Sequence, residues 1–192
     1  VGSEMCIRDR YPTGRYFYIF EKAEKFDNST GCCIVVTLKC EQRLCKELGA
    51  PKTVQITYKL SKYDLKFNVS WFEKDANRLT EAIYLHLYPQ TNQIMLKKLG
   101  GLINPFDVVG MGAKKLHAVQ SVQFEKKGKT VNVYNLHSPL FSLGKGKILE
   151  FDDKYENPKK DGVSFVLYDN VWGTNFPLWY SENASFDFAI SE

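Results

Sequence analysis

Apolar residues recur at every second position through most of this chain, and that period constrains the fold more than any other feature. Thr53-Val54-Gln55-Ile56-Thr57-Tyr58 places Val54, Ile56 and Tyr58 on one face. Leu65, Phe67, Val69 and Trp71 share a face with Lys66, Asn68 and Ser70 opposite, and Ile83, Leu85 and Leu87 repeat the pattern against Tyr84, His86 and Tyr88. Such alternation marks strands with one buried side. Further strands are expected at Arg15 to Phe20, Cys33 to Leu38, Ile148 to Phe151, Val163 to Tyr168 and Phe186 to Ile190. Val122 and Phe124 lead into Lys126-Lys127-Gly128-Lys129 and return through Val131 and Val133, which predicts a hairpin. One short helix is expected at Glu41 to Leu48, stopped by Gly49. Many short strands with turn signals between them predict an all-β fold, an antiparallel β-sandwich with one short helix. The stretch from Lys97 to His117 lacks the period and is expected to form a long irregular loop, where function tends to concentrate.

Residues Val1 to Asp9 match one translated frame of a transposon-end sequencing adapter, whose last bases can also supply Arg10. Residues 1–10 are therefore expected to be an adapter-derived artefact and are set aside before the fold is considered. Residues 11–192 suffice for one domain that buries roughly 70% of its unfolded surface. The coding sequence is expected to have been cut upstream of Tyr11, which leaves the native N-terminus and any signal peptide out of view.

The net charge of +4 comes from lysines scattered in short groups such as Lys126-Lys127 and Lys159-Lys160. Scattered lysines suit solvated turns and strand edges, where they discourage edge-to-edge pairing. No basic stripe interleaves with aromatics, so no nucleic-acid partner is expected. No apolar run approaches the length needed to span a bilayer.

Outside the adapter stretch the cysteines are Cys32, Cys33, Cys40 and Cys45. Cys32 and Cys33 point to opposite strand faces and are poor partners for one another. The step from Cys40 to Cys45 is not a zinc spacing, and no second pair follows it. These residues read first as small buried apolar groups, then as one disulfide if the protein is secreted, and last as metal ligands. Asn28, Asn68 and Asn183 begin Asn-x-Ser/Thr sequons, which points towards a secreted or luminal protein.

Near the end of the chain, Asn170-Val171-Trp172-Gly173-Thr174-Asn175-Phe176-Pro177-Leu178-Trp179-Tyr180 concentrates large aromatics that need a packing or binding reason. This segment resembles the closing part of glycoside hydrolase family 38-like proteins, whose relatives are α-mannosidases. Two earlier segments resemble the same group: Trp71-Phe72-Glu73-Lys74 followed by Arg78-Leu79-Thr80-Glu81-Ala82, and Leu99-Gly100 followed by Ile103-Asn104-Pro105-Phe106-Asp107-Val108-Val109. Leu116-His117-Ala118-Val119 resembles the step that follows. The likeness runs in order from Trp71 to Phe188, and residues 11–65 carry none of it.

The resemblance implies a supersandwich-like β domain, the non-catalytic C-terminal part of a larger, N-terminally truncated protein. In that family a preceding α/β domain supplies a zinc ion held by His and Asp and an Asp nucleophile. The implied partners are that catalytic domain and a glycan substrate, and the implied zinc belongs to the missing domain, with no cofactor in this one. The residues agree with a non-catalytic role. His86, His117 and His137 lack ligand spacings, no pattern pairs two carboxylates for glycoside hydrolysis, and no nucleophile elbow or phosphate loop is present. A stand-alone carbohydrate-binding or adhesion sandwich is the alternative.

Within either reading, Asp107 and His117 are candidates to face a glycan cleft. Otherwise Asp107 caps the turn after Asn104-Pro105 and His117 satisfies buried carbonyls. Trp172, Asn175 and Trp179 are candidates for a sugar platform, or else they plug the end of the core. His86 is expected to pack on its strand, and His137 to sit in a turn.

Overall fold

The structure, a computed structural model, describes residues 16–29, 31–62, 64–77, 79–108, 116–146, 156–170 and 180–192. They form two antiparallel sheets, as the alternation predicts. Strands β1 (Ile19–Asn28), β2 (Gly31–Lys39), β3 (Thr53–Ser61) and β4 (Leu65–Phe72) form a meander. The chain crosses to the second sheet for β5 (Ala82–Leu87), then returns for β6 (Gln93–Lys98) and β7 (Gly101–Ile103). Next come β8 (His117–Ala118), β9 (Ser121–Lys126), β10 (Lys129–Asn135), β11 (Leu140–Leu143), β12 (Val163–Asp169) and β13 (Ala184–Ser191). The large sheet runs β1-β2-β3-β4-β13-β10-β9-β6-β7 and the small one β5-β12-β11-β8. Among the described residues both sheets have free edges, and neither closes into a barrel.

Register explains the alternation. Val54, Ile56 and Tyr58 lie opposite Trp71, Val69 and Phe67, and these lie opposite Ala184, Phe186 and Phe188. In the small sheet Leu85 pairs with Phe165, and Phe165 with Phe141. The two inner faces meet through Phe165 and Phe188, whose rings sit edge to face at 5.4 Å, and Phe188 also stacks on Phe67 at 4.9 Å. Each such ring contributes about 1.5–3 kcal/mol on burial. Trp71 is fully buried beside Phe186 and Tyr168, and its indole N–H donates to Glu182 O at 3.2 Å.

Two glycines carry the backbone where side chains resist. Helix α1 (Gln42–Leu48) stops at Gly49, whose φ of 67° lets its N–H reach Cys45 O. Between β9 and β10, Lys127 (φ 52°) and Gly128 (φ 74°) form the two-residue turn the hairpin required, with Lys126 opposite Lys129.

The structure also departs from the sequence reading. Strand β1 runs from Ile19 to Asn28 instead of from Arg15 to Phe20, because it pairs with β2 from Ile19 opposite Lys39 to Asn28 opposite Gly31. Its second half escapes the apolar period because it carries exposed charge, Lys22 beside Glu24 at 2.8 Å and Lys25 beside Asp27 at 2.9 Å. The stretch expected to be irregular begins with β6 and β7, followed by a 3-10 turn at Pro105–Asp107. Strand β11 hides from the period because Phe141, Ser142 and Leu143 are all buried. A second short helix, α2 (Pro158–Asp161), starts from Asn157, whose side chain accepts from the N–H groups of Lys159 and Lys160. The strand expected at Ile148 to Phe151 lies outside the described residues. Among the described residues no helix is long and apolar enough to cross a membrane.

Candidate functional site

Strand register gathers three connections at one end of the sandwich. Lys39 pairs with Thr53 and Thr53 with Phe72, while Trp71 pairs with Ala184 and Ala82 with Asp169. The segments leaving β2 and β4 therefore start side by side, and Asn170, just past β12, is hydrogen-bonded to the segment after β4.

Lys74 is the centre of this junction. Its side chain is 0% exposed, and its ammonium donates to Glu81 Oε1 at 2.5 Å, Gly49 O at 3.1 Å and Asp75 O at 3.4 Å. It also lies 5.3 Å from the centre of the Tyr168 ring, within range of a cation–π contact. An ammonium has three hydrogens, and here each has an acceptor.

The surrounding polar groups join the same network. Asn77 donates to Leu48 O at 2.5 Å and accepts from the Leu79 N–H at 2.7 Å. Asn170, the first residue of the aromatic tail, accepts from the Glu81 N–H at 2.6 Å and donates to Leu79 O at 2.8 Å. Its own N–H reaches Glu81 O at 3.1 Å. A Cβ on Gly49 would lie 2.2 Å from Asn77 Nδ2, so the helix end and the segment after β4 are fitted to each other. Tyr168 contacts Trp71 on one side and Tyr180 on the other, at 6.4 and 5.6 Å.

Burial sets the electrostatics. It pushes the Glu81 carboxyl above its usual value, against the opposing pull of Lys74, Asn77 and Tyr168. It raises the Tyr168 phenol to about 12, with the Glu81 charge adding to the shift. Tyr18, whose hydroxyl donates to Pro51 O at 3.0 Å, is likewise held well above the ordinary phenol range, mainly by burial. The arrangement favours neutral phenols. With its hydrogens committed, Lys74 is placed as a clamp between helix α1, the segment after β4 and strand β12 rather than as a nucleophilic amine.

The candidates named from sequence fall elsewhere. Asp107 is exposed in the 3-10 turn; Asn104 caps that turn by accepting from the Phe106 N–H at 3.0 Å, and Asp107 braces it by accepting from Asn104 Nδ2 at 2.9 Å. His117 is 2% exposed in β8, opposite Phe141 and on the core side of the small sheet. It lies at the far edge, two strands beyond β12, or about 10 Å at ordinary strand spacing. Trp172, Asn175 and Trp179 lie outside the described residues.

Of the sequon residues, Asn28 ends β1. Asn68 lies on the outer face of the large sheet, donating to Ser185 Oγ at 2.8 Å and Asp187 Oδ1 at 2.7 Å. Asn183 is exposed just before β13, and its side-chain oxygen accepts from the Glu73 N–H at 3.0 Å.

His86 and Ser164 form a His–Ser contact of 2.8 Å on the small sheet. The Ser164 hydroxyl donates to Gly144 O at 2.8 Å, which makes His86 Nδ1 the donor to serine. Ser164 is also wholly buried, so this pair is packing, as the sequence reading has it for His86. His137 accepts at Nδ1 from the Asp187 N–H at 3.2 Å and sits in a bend, as expected. All the cysteines named from sequence are free thiols; Cys45 is buried and Cys32, Cys33 and Cys40 are half-buried. Among the described residues no group of three His, Cys, Asp or Glu side chains comes together to hold a metal.

The sequence reading missed Lys74, Asn77, Glu81 and Tyr168 as site residues, although the first three stand in a stretch it had singled out. The available signal was a lysine, an asparagine and a glutamate between two strands with few residues to spare, since a connection that short holds its polar side chains close to the core.

No family model matches the chain, and no curated protein matches it. What fold and site define together is a two-sheet antiparallel β-sandwich with a buried polar clamp at one end.

Proposed function

We propose that this chain is the non-catalytic C-terminal β-sandwich domain of a glycoside hydrolase family 38-like, α-mannosidase-like protein. In this reading it buttresses an α/β catalytic domain and lends the clamped end of the sandwich to one wall of the glycan cleft. The observation that carries the reading is the junction itself. Of two separate segments that resemble the family, the one from Trp71 to Ala82 is hydrogen-bonded through Leu79 and Glu81 to Asn170, which opens the other, and Tyr180, which closes that other, reaches Trp71 through the intervening Tyr168 ring. Segments that resemble one group and also depend on each other in space support a common origin better than scattered matches do. The role of the clamp is positional: it holds the root of the aromatic tail.

In this proposal zinc and the Asp nucleophile belong to the catalytic domain, and no step of the chemistry passes through residues described here. The test is to incubate the purified chain with an aryl α-mannoside, with and without added zinc, and to screen it in parallel on a glycan array. The proposal expects no turnover in either condition and no retained glycan. Turnover by the chain alone would contradict the non-catalytic assignment. Glycan retention that is lost on Trp172→Ala or Trp179→Ala with the fold intact would favour the stand-alone carbohydrate-binding sandwich instead.

A further inference from the structure

Cys40 and Cys45 occupy a particular pair of positions around helix α1. The helix begins at Gln42 with Glu41 as its N-cap, so Cys40 stands just before the cap and Cys45 is the fourth helical residue. These two positions pack against each other in the hydrophobic staple that fixes how a chain enters a helix. In this protein both staple residues are thiols, and burial first, then the neighbouring Cys45 side chain, raises the Cys40 thiol. The backbone holds each one: Cys40 N–H donates to Lys52 O at 3.1 Å, and Cys45 N–H donates to Glu41 O at 3.2 Å.

We infer that Cys40 and Cys45 form an oxidisable staple, which closes into a disulfide when the protein meets a disulfide oxidant such as oxidised glutathione. The reaction balances in two exchanges. The Cys40 thiolate attacks one sulfur of the oxidant, forming a mixed disulfide and releasing one glutathione thiolate. The Cys45 sulfur, after losing its proton, then attacks Cys40 Sγ, forms the intramolecular bond and expels the second glutathione. The two protein thiols are oxidised, and the oxidant is reduced to two thiols.

Access sets the order, because Cys40 is half-buried while Cys45 is buried. The bridge would lock the start of α1 beside its end, where Gly49 N–H donates to Cys45 O and Gly49 O accepts from Lys74. The staple thus lies one hydrogen-bonded step from the clamp. Cys32 and Cys33, held in the register of β2 between β1 and β3, have no such partner geometry.

The experiment is a redox titration of the full chain in mixtures of reduced and oxidised glutathione. It is quenched in acid, alkylated under denaturing conditions and read by intact and peptide mass. The expected product has lost two hydrogens, carries alkyl groups on the other cysteines and joins Cys40 to Cys45 in one peptide. Burial pushes the Cys40 thiol up to about 11, so bridge formation should speed up nearly tenfold per pH unit between pH 7 and 9. Cys45→Ser should trap one glutathione on Cys40, whereas Cys40→Ser should leave Cys45 unmodified in the folded chain. Full alkylation of both residues at every glutathione ratio would overturn the inference. So would a bridge from either residue to Cys32 or Cys33. The wild-type titration decides the matter even if a serine variant fails to fold.

Discussion

Lys74 and Glu81 close a buried ion pair of 2.5 Å across the connection that carries the chain from the large sheet to the small one. The lysine is fully enclosed and the glutamate nearly so, with side-chain exposures of 0% and 18%. A pair in such a place is sensitive to the loss of one partner, because the other charge is then stranded.

Lys74→Met should therefore destabilise the fold by about 2–4 kcal/mol, slightly below the range for a wholly enclosed pair because Glu81 keeps some solvent. Glu81→Leu alone should cost a similar amount. The double variant should recover much of the loss, since neither charge remains. Urea unfolding of the four proteins gives the coupling directly. Additive losses would mean that the two side chains act independently.

Alkaline pH should loosen the same end of the molecule. The folded chain raises the Tyr168 phenol from its ordinary 10.0 to about 12 and moves Tyr18 in the same direction. Above pH 10 the unfolded chain releases these protons first, so each further rise favours unfolding. The stability these phenols contribute is complete below pH 10 and disappears as pH climbs through the folded values. Thermal melts from pH 8 to 11 should fall steeply above 10, and Tyr18→Phe with Tyr168→Phe should flatten the fall. An equally steep fall in that double variant would assign it to other groups.

Gly49 offers a steric test of the fit between α1 and the segment after β4. Gly49→Ala needs a positive φ of 67° and puts a methyl 2.2 Å from Asn77 Nδ2, so it should cost at least about 2 kcal/mol. Gly128→Ala shares the positive φ but meets nothing within 4 Å, and should cost only about 1 kcal/mol. Equal losses in the two variants would show that backbone strain, not the Asn77 contact, sets the penalty.

How the strands were legible, and where they were not, follows from burial. Alternation identified β3, β4, β5 and β13 because each has one face on the core, as with Phe67 and Val69 against Lys66 and Asn68. It missed β11, buried on both faces, and the end of β1, where Phe26 is exposed and the neighbouring charges pair with each other. The candidate site was harder to read. Lys74 looks like any surface lysine in a sequence, and only the convergence of Gly49 O, Asp75 O and Glu81 on its ammonium makes it a clamp. Asp107 and His117 stand out for their place in an expected long loop, and much of the described part of that stretch is strand and turn.

Glycan attachment should discriminate among the sequons if the chain is expressed through a eukaryotic secretory route. Asn183 is exposed and engages its side-chain oxygen, leaving Nδ2 as the atom for the sugar. Asn68 instead commits Nδ2 to Asp187 and Ser185 in the middle of the large sheet. A mass shift removed by glycosidase and mapping to Asn183 but not Asn68 is the expected outcome. Occupancy at Asn68 would show that this hydrogen-bonded row forms too late to protect it.

The most direct test of the central claim is to sequence the source DNA upstream of the Tyr11 codon. The account predicts several hundred further codons in the same frame, encoding an α/β domain with clustered His and Asp ligands and an Asp nucleophile. A start codon or signal peptide immediately before Tyr11 would contradict it and leave a small, self-contained sandwich.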